Sequence, residues 1–242
     1  MIIVRIEELS WPEFDRIKDK VVAVILPVGS VEAHGRHLPL GTDVFAPLKI
    51  AELVEQKVRE RGKEVLVMPP IWYGHSFALN AYPGTINVRP ESLRMYVGDV
   101  LAELAAEGFK KIVLLNGHGG NVYPLTEAAE DVAELYPDVE VYLINWWLDF
   151  REDILSVCSG QGHAGEDETS VMLAIRPELV NMREARGRRV KRKIRVIKKD
   201  IGKEVFPDGL NDDPSSATAE KGERILQIVS ESIARIILGE EG

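Results

Sequence analysis

The apolar run at residues 21–28, VVAVILPV, is continuous and rich in β-branched side chains, which predicts a strand covered on both faces. Shorter apolar runs predict further strands at 65–68, ending at Pro69-Pro70, and at 111–115 and 139–144. Between them, helical spacing of apolar positions predicts helices at 44–57, 91–107 with a stop at Gly108, and 125–135. Strand and helix thus alternate through the first 145 residues, with connections long enough for helical crossovers. That alternation predicts an α/β sandwich around a largely parallel sheet. The C-terminal third is less regular. Helices are expected at 169–175 and 219–237, a charged strand or extended arm at 183–200, and a loop at 208–216, DGLNDDPSS.

Function in such sheets gathers beyond the carboxyl ends of the strands. Two polar, Gly-rich segments fall there: GSVEAHGRHLPLGTD after the first strand and NGHGGN after the third. In an extended segment Glu32 and His34 share one side. Asp43 stands at the start of the next helix, where a carboxylate can bind a cation or cap helix N–H groups. His118 sits among three glycines that permit close approach, in a ligand-bearing or a purely structural turn. The hexamer lacks the lysine and hydroxyl pair of a phosphate loop. A third cluster, His163-Ala164-Gly165-Glu166-Asp167-Glu168, precedes a helix whose positive end its acids would complement, so helix stabilisation competes with chemistry for Glu166 and Asp167.

The balance of 30 Lys+Arg against 39 Asp+Glu, net −9, argues against general nucleic-acid binding, and 242 residues suit one domain spanning 1–242. No stretch approaches the roughly 20 apolar residues of a membrane span, and acidic residues precede any signal-like block, so a cytoplasmic protein without membrane association is expected. The lone Cys158 offers no thiolate pair, leaving N and O ligands for any metal. A mixed imidazole and carboxylate set drawn from Glu32, His34, Asp43, His118 and Glu168 suits Zn²⁺, Mn²⁺ or Fe²⁺, one or two ions per chain, with Asp43 able to bridge a pair. His163 then suits a proton shuttle.

Three segments, LPVGSVEAHGRHLPLGTD from Leu26, NGHGGN from Asn116 and HAGEDETS from His163, resemble the creatininase (creatinine amidohydrolase) family, as does DPSSATAEKG from Asp213. The resemblance implies a three-layer α/β/α sandwich and hydrolysis of a C–N bond in a compact or cyclic amide by metal-activated water. It also implies Glu32 and His118 on one ion, His34 on the other, Asp43 as the bridge, His163 as the catalytic histidine, and a homo-oligomer such as a hexamer. Zn²⁺ is the first expectation, with Mn²⁺ or Fe²⁺ as alternatives. The family's NGHYEN-like motif carries a Glu for the second ion where this chain has Gly120, so Glu168 is the expected replacement. Glu166 is expected to orient His163, and Tyr73, His75, Trp146 and Trp147 are candidates for the substrate pocket, with the core the expected place for the tryptophans. Related enzymes process formylated pyrimidines, peptide-derived cofactors or ring carbonyl compounds, so a small organic amide or formamide is the expected substrate class.

Two competing readings stand beside this one. A structural or metal-binding protein without turnover would keep the same ligands. The ten Lys/Arg at 183–199 offer a phosphate or nucleic-acid surface, although Val190, Ile194, Val196 and Ile197 interrupt the charges and favour a solvated strand edge or subunit contact.

Overall fold

The structure, a computed structural model, describes residues 5–190, 194 and 196–240. Four strands, β1 (Val21–Val28), β2 (Glu64–Val67), β3 (Lys111–Asn116) and β4 (Glu140–Asn145), form one parallel sheet in the order β2-β1-β3-β4. Nine α-helices are described: α1 (Trp11–Ile17), α2 (Thr42–Glu60), α3 (Pro90–Ala106), α4 (Val122–Leu135), α5 (Trp146–Asp149), α6 (Arg151–Val157), α7 (Glu166–Ile175), α8 (Gly202–Val205) and α9 (Ala219–Leu238).

Alternation along each strand sends side chains to opposite faces of the sheet. Ile25, Val67, Val113 and Leu115 pack with Ile50 and Val54 of α2 and with Val229 and Ile233 of α9. Val24, Leu26, Ile112 and Leu114 pack on the other side with Val97 and Leu101 of α3 and Leu125 and Ala128 of α4. Both faces are therefore covered, which is why β1 and β3 read as unbroken apolar runs. The result is the three-layer α/β/α sandwich that the strand–helix alternation and the family resemblance led us to expect.

Chain direction positions the site. From β1 the chain moves outward through α2 to β2, then returns through α3 to the far side of β1 and continues through β3 and α4 to β4. Strand order reverses between β1 and β3, whose register pairs Val24 with Ile112 and Val28 with Asn116. A crevice opens beyond the carboxyl ends at such a point.

The expected strands agree with the observed ones to within a residue or so, and α2, α3, α4 and α9 lie where helical spacing put them. α1, with its Ser10/Glu13 capping box, and the short α5, α6 and α8 were not anticipated. α6 buries only Ile154, so it has no apolar stripe to read. The basic run is not a strand in its described part: it forms a single short turn at Met182–Glu184 and irregular chain beyond it. Lys191, Arg192, Lys193 and Arg195 of that run lie outside the described residues. Among the described residues no helix is long and apolar enough to cross a membrane.

Candidate metal centre

Two glycines let α2 begin close to the sheet. A Cβ on Gly29, just after β1, would lie 2.3 Å from the Asp43 carbonyl oxygen, and one on Gly117, just after β3, 2.0 Å from the same atom. Asp43 is thereby seated between the two strand ends. Its carboxylate caps no helix N–H. Oδ1 instead lies 2.9 Å from His34 Nε2 and Oδ2 2.9 Å from His118 Nδ1. Glu32, fully buried, places Oε1 3.3 Å from His118 Nδ1 and 3.7 Å from His163 Nδ1. Glu168, in the first turn of α7, brings Oε2 to 3.7 Å from His34 Nε2 and accepts the Ala164 N–H at 2.6 Å.

All three imidazoles are oriented the same way. His34 Nδ1 donates to the Glu32 carbonyl at 3.1 Å, His118 Nε2 to the His75 carbonyl at 3.0 Å, and His163 Nε2 to the Ala33 carbonyl at 2.8 Å. A carbonyl only accepts, so each bond fixes which nitrogen carries hydrogen and turns the other toward the carboxylates. Both Glu32 oxygens and Asp43 Oδ2 are buried without a hydrogen-bond partner. Buried acceptors that face one another need a cation or protons between them.

The same contacts set the electrostatics of the cluster. Burial opposes charge on His34, yet Asp43, Glu168 and Glu32 hold its imidazolium up to about 10. Burial likewise opposes charge on His118, and Glu32 and Asp43 raise it well above the usual value. Asp43 is held below the carboxylate range by His34 and His118 in spite of its burial. Burial raises Glu168, and burial together with the neighbouring His34 charge lowers His163 to about 4.

The residues fit divalent ions. Glu32, Asp43 and His118 offer donor atoms within 4.8 Å of one another, as do His34, Asp43 and Glu168, with Asp43 common to both sets. Glu32, His34 and His163 form a third such set, so His163 stands at ligand range as well as beside the site. Gly120 contributes no ligand, and the backbone shows why: a Cβ there would lie 1.9 Å from the His75 carbonyl oxygen and 2.5 Å from His118 Nε2. The carbonyl that orients His118 occupies the space a side chain would need.

Glu166 is the site candidate that the structure sets apart. Its Oε2 accepts from the Ser159 amide and hydroxyl and the Gly160 amide, and its Oε1 pairs with Lys221 Nζ at 2.5 Å. These contacts tie α7 to the preceding loop and to α9, and the partner that orients the His163 ring is the Ala33 carbonyl. Burial opposes its charge, while Lys221 and Ser159 lower its pKa.

Several supporting residues escaped the sequence reading. Asn116 exchanges two hydrogen bonds with the His118 backbone, at 3.0 and 2.9 Å. Asn121 accepts the His75 amide and donates to the Gly29 carbonyl, both at 2.9 Å. Asn211 accepts the His163 amide at 2.8 Å and returns its own N–H to the His163 carbonyl at 3.1 Å. The asparagines bracketing NGHGGN were an available signal. Asn211 lies 48 positions from His163 and had none.

A cavity of about 790 Å³ opens over the centre, with Glu32, Asp43, His118 and Glu168 in its lining. His75 and Trp147 line it too, whereas Trp146 is a core residue and Tyr73 stands outside, over half exposed.

A parallel α/β/α sandwich with a buried His/carboxylate cluster at the reversal of strand order defines a candidate metalloenzyme. The creatininase family profile, described as creatinine amidohydrolase, matches residues 7–237. Creatinine amidohydrolase of Pseudomonas putida is 30% identical over 95% of this chain and 94% of its own length. The mycofactocin precursor peptide peptidase of Mycobacterium ulcerans (strain Agy99) is 31% identical over 95% and 90%. A solved structure of manganese creatininase superposes with a TM-score of 0.87 at 29% identity, covering 99% of both chains. The chain belongs to the creatininase family, whose relatives named here are hydrolases.

Proposed function

We propose that this protein is a divalent-metal-dependent amidohydrolase, one domain across residues 1–242, that cleaves a C–N bond of a compact cyclic amide or formamide. The observation that carries the reading is the set of three backbone-tethered imidazoles turned onto carboxylates, of which both Glu32 oxygens and Asp43 Oδ2 are buried without a hydrogen-bond partner. Glu32, Asp43 and His118 would hold one ion and His34, Asp43 and Glu168 a second, with Zn²⁺ first and Mn²⁺ or Fe²⁺ next. When bound, such ions supply a Lewis acid and lower the pKa of water to about 7.

The chain's own groups do the rest. Asp43, common to both sets, would offer a carboxylate oxygen to each position. His163 holds its proton to Ala33 at Nε2, so Nδ1 is the atom that takes a proton and returns it to the departing nitrogen. Trp147 and the apolar cavity wall would cover a substrate bound over the centre. The peptidase among the relatives supports a peptide-like amide as the second substrate class. Membership in the family also supports a cytoplasmic homo-oligomer, a hexamer being the size to test by light scattering.

The deciding experiment is elemental mass spectrometry on protein purified without chelators, beside Glu32→Ala and His118→Ala. One or two ions per chain, lost in either variant, together with hydrolysis of members of an amide and formamide panel, is the expected result. Protein that stays metal-free on reconstitution would overturn the reading and favour a structural role.

A further inference from the structure

We propose that the substrate carries an apolar group, aliphatic or aromatic, which docks against the apolar side chains of Ile194 and of the described stretch 196–206, with Ile194, Ile197 and Phe206 as specificity-determining contacts; this rests on the hydrolase reading above.

The segment leaves and returns at one place. The Val190 N–H donates to the Asn211 carbonyl at 3.0 Å, and next to it Arg189 Nε donates to Asp212 Oδ1 at 2.6 Å. Between these points Ile194, Val196, Ile197, Ile201, Val205 and Phe206 line the cavity that also contains the candidate ligands. Ile194 and Ile197 are each 72% exposed. A single exposed isoleucine is ordinary, but six apolar side chains on one wall of a concave site form a surface that gains when a ligand covers it.

The wall is also fixed in place. Tyr82 Oη donates to the Phe206 carbonyl at 2.6 Å, and Gly202 sits so close beneath Ala78 that a Cβ would fall 1.7 Å from its carbonyl oxygen. The Phe206 ring stands edge-on to the His163 ring at 5.1 Å, so the wall reaches the reacting groups themselves. A volume of about 790 Å³ lies in the upper part of the range, about 300–1,000 Å³, that encloses drug-sized ligands. A scissile amide alone leaves most of it unfilled. Among the described lining residues Arg151 is the only Lys or Arg, and the apolar side chains outnumber it on this wall.

The test is calorimetric binding of straight-chain aliphatic hydroxamates, from acetohydroxamate to octanohydroxamate, to the metal-loaded protein. Affinity is expected to rise about three- to fourfold per methylene. The double replacement Ile194→Ser with Ile197→Ser is expected to reduce that gain per methylene by half or more. Affinity that ignores chain length, or a gain that survives the double replacement, overturns the inference. So does a double variant that changes only the assembly mass, which would assign these residues to a subunit contact. Methylene increments without hydrolysis of any amide would sink the hydrolase reading and leave the apolar wall standing. Hydrolysis without increments does the reverse, and no binding at all overturns both.

Discussion

Around the candidate metal centre each imidazole spends one nitrogen on a backbone carbonyl, whereas on the cavity wall Ile194, Val196 and Ile197 stand in irregular chain between an anchor at Arg189 and Val190 and another at Gly202 and Phe206. The centre is assembled from strand ends and helix starts, where the sheet fixes backbone positions before any side chain is chosen. The wall is assembled from a long connection. The difference teaches that the candidate ligands belong to short, local motifs and the apolar wall of the cavity to a segment whose own sequence suggests something else.

The strongest way to break this contrast is at Asp43. Asp43→Asn removes the shared ligand of both candidate sites, so metal content should fall to near zero and turnover by about a thousandfold; elemental analysis and kinetics check it. Retention of two ions would mean that the centre is not built around this carboxylate.

Restoring the family's missing ligand should also fail. In Gly120→Glu the new side chain collides with the His75 carbonyl that orients His118. We expect a loss of about 3 kcal/mol, a melting temperature roughly 10 °C lower, and no added metal. A stable variant that binds a further ion would show the centre to be softer than its hydrogen bonds imply.

A third expectation concerns pH. In the metal-free protein His34 is raised from 6.5 to about 10, so its contribution to stability is fully present below pH 6.5 and is lost as pH climbs through 10. On the proposed reading a divalent ion would take the place of that proton. Metal-free protein should therefore melt at progressively lower temperature from pH 7 to pH 10, metal-loaded protein much less so, and scanning calorimetry should find the gap widening with pH. A gap that narrows would refute the exchange of proton for metal.

The smallest effect is expected at Glu166. Glu166→Gln weakens its contacts to Ser159, Gly160 and Lys221 and should cost about 1–2 kcal/mol of stability, with metal content unchanged and kcat within a fewfold. A loss of turnover comparable to that in Asp43→Asn would return Glu166 to the role of orienting His163.

The sheet and the centre were legible because their signals are short-range. A buried parallel strand is an unbroken apolar run, and Glu32, His34, Asp43 and His118 each sit within fifteen positions of a strand end. Asp43 was ambiguous between cap and ligand until Gly29 and Gly117 showed how its backbone is drawn between two strands. Glu166 and Glu168 looked alike in sequence. Two residues of helical rotation send one to Lys221 and the other to His34. The wall was illegible because its fastening joins Arg189 to Asp212 and Val190 to Asn211 across more than twenty residues, and no local pattern encodes such a closure. Ten positive charges at 183–199 drew attention from the aliphatics between them, of which Ile194, Val196 and Ile197 line the cavity.

The adjacency of Val190 and Asn211 has an evolutionary consequence. An excursion that departs and rejoins at neighbouring points can lengthen, shorten or change its side chains while Asn211 keeps its two bonds to the His163 backbone. Closure entropy grows only slowly with loop length, about 0.6 kcal/mol per doubling. Gly202 and Phe206 are packed against Ala78 and Tyr82, so the stretch before Gly202 is the exchangeable part, and grafting another relative's version there would alter the wall while leaving the candidate ligands in place.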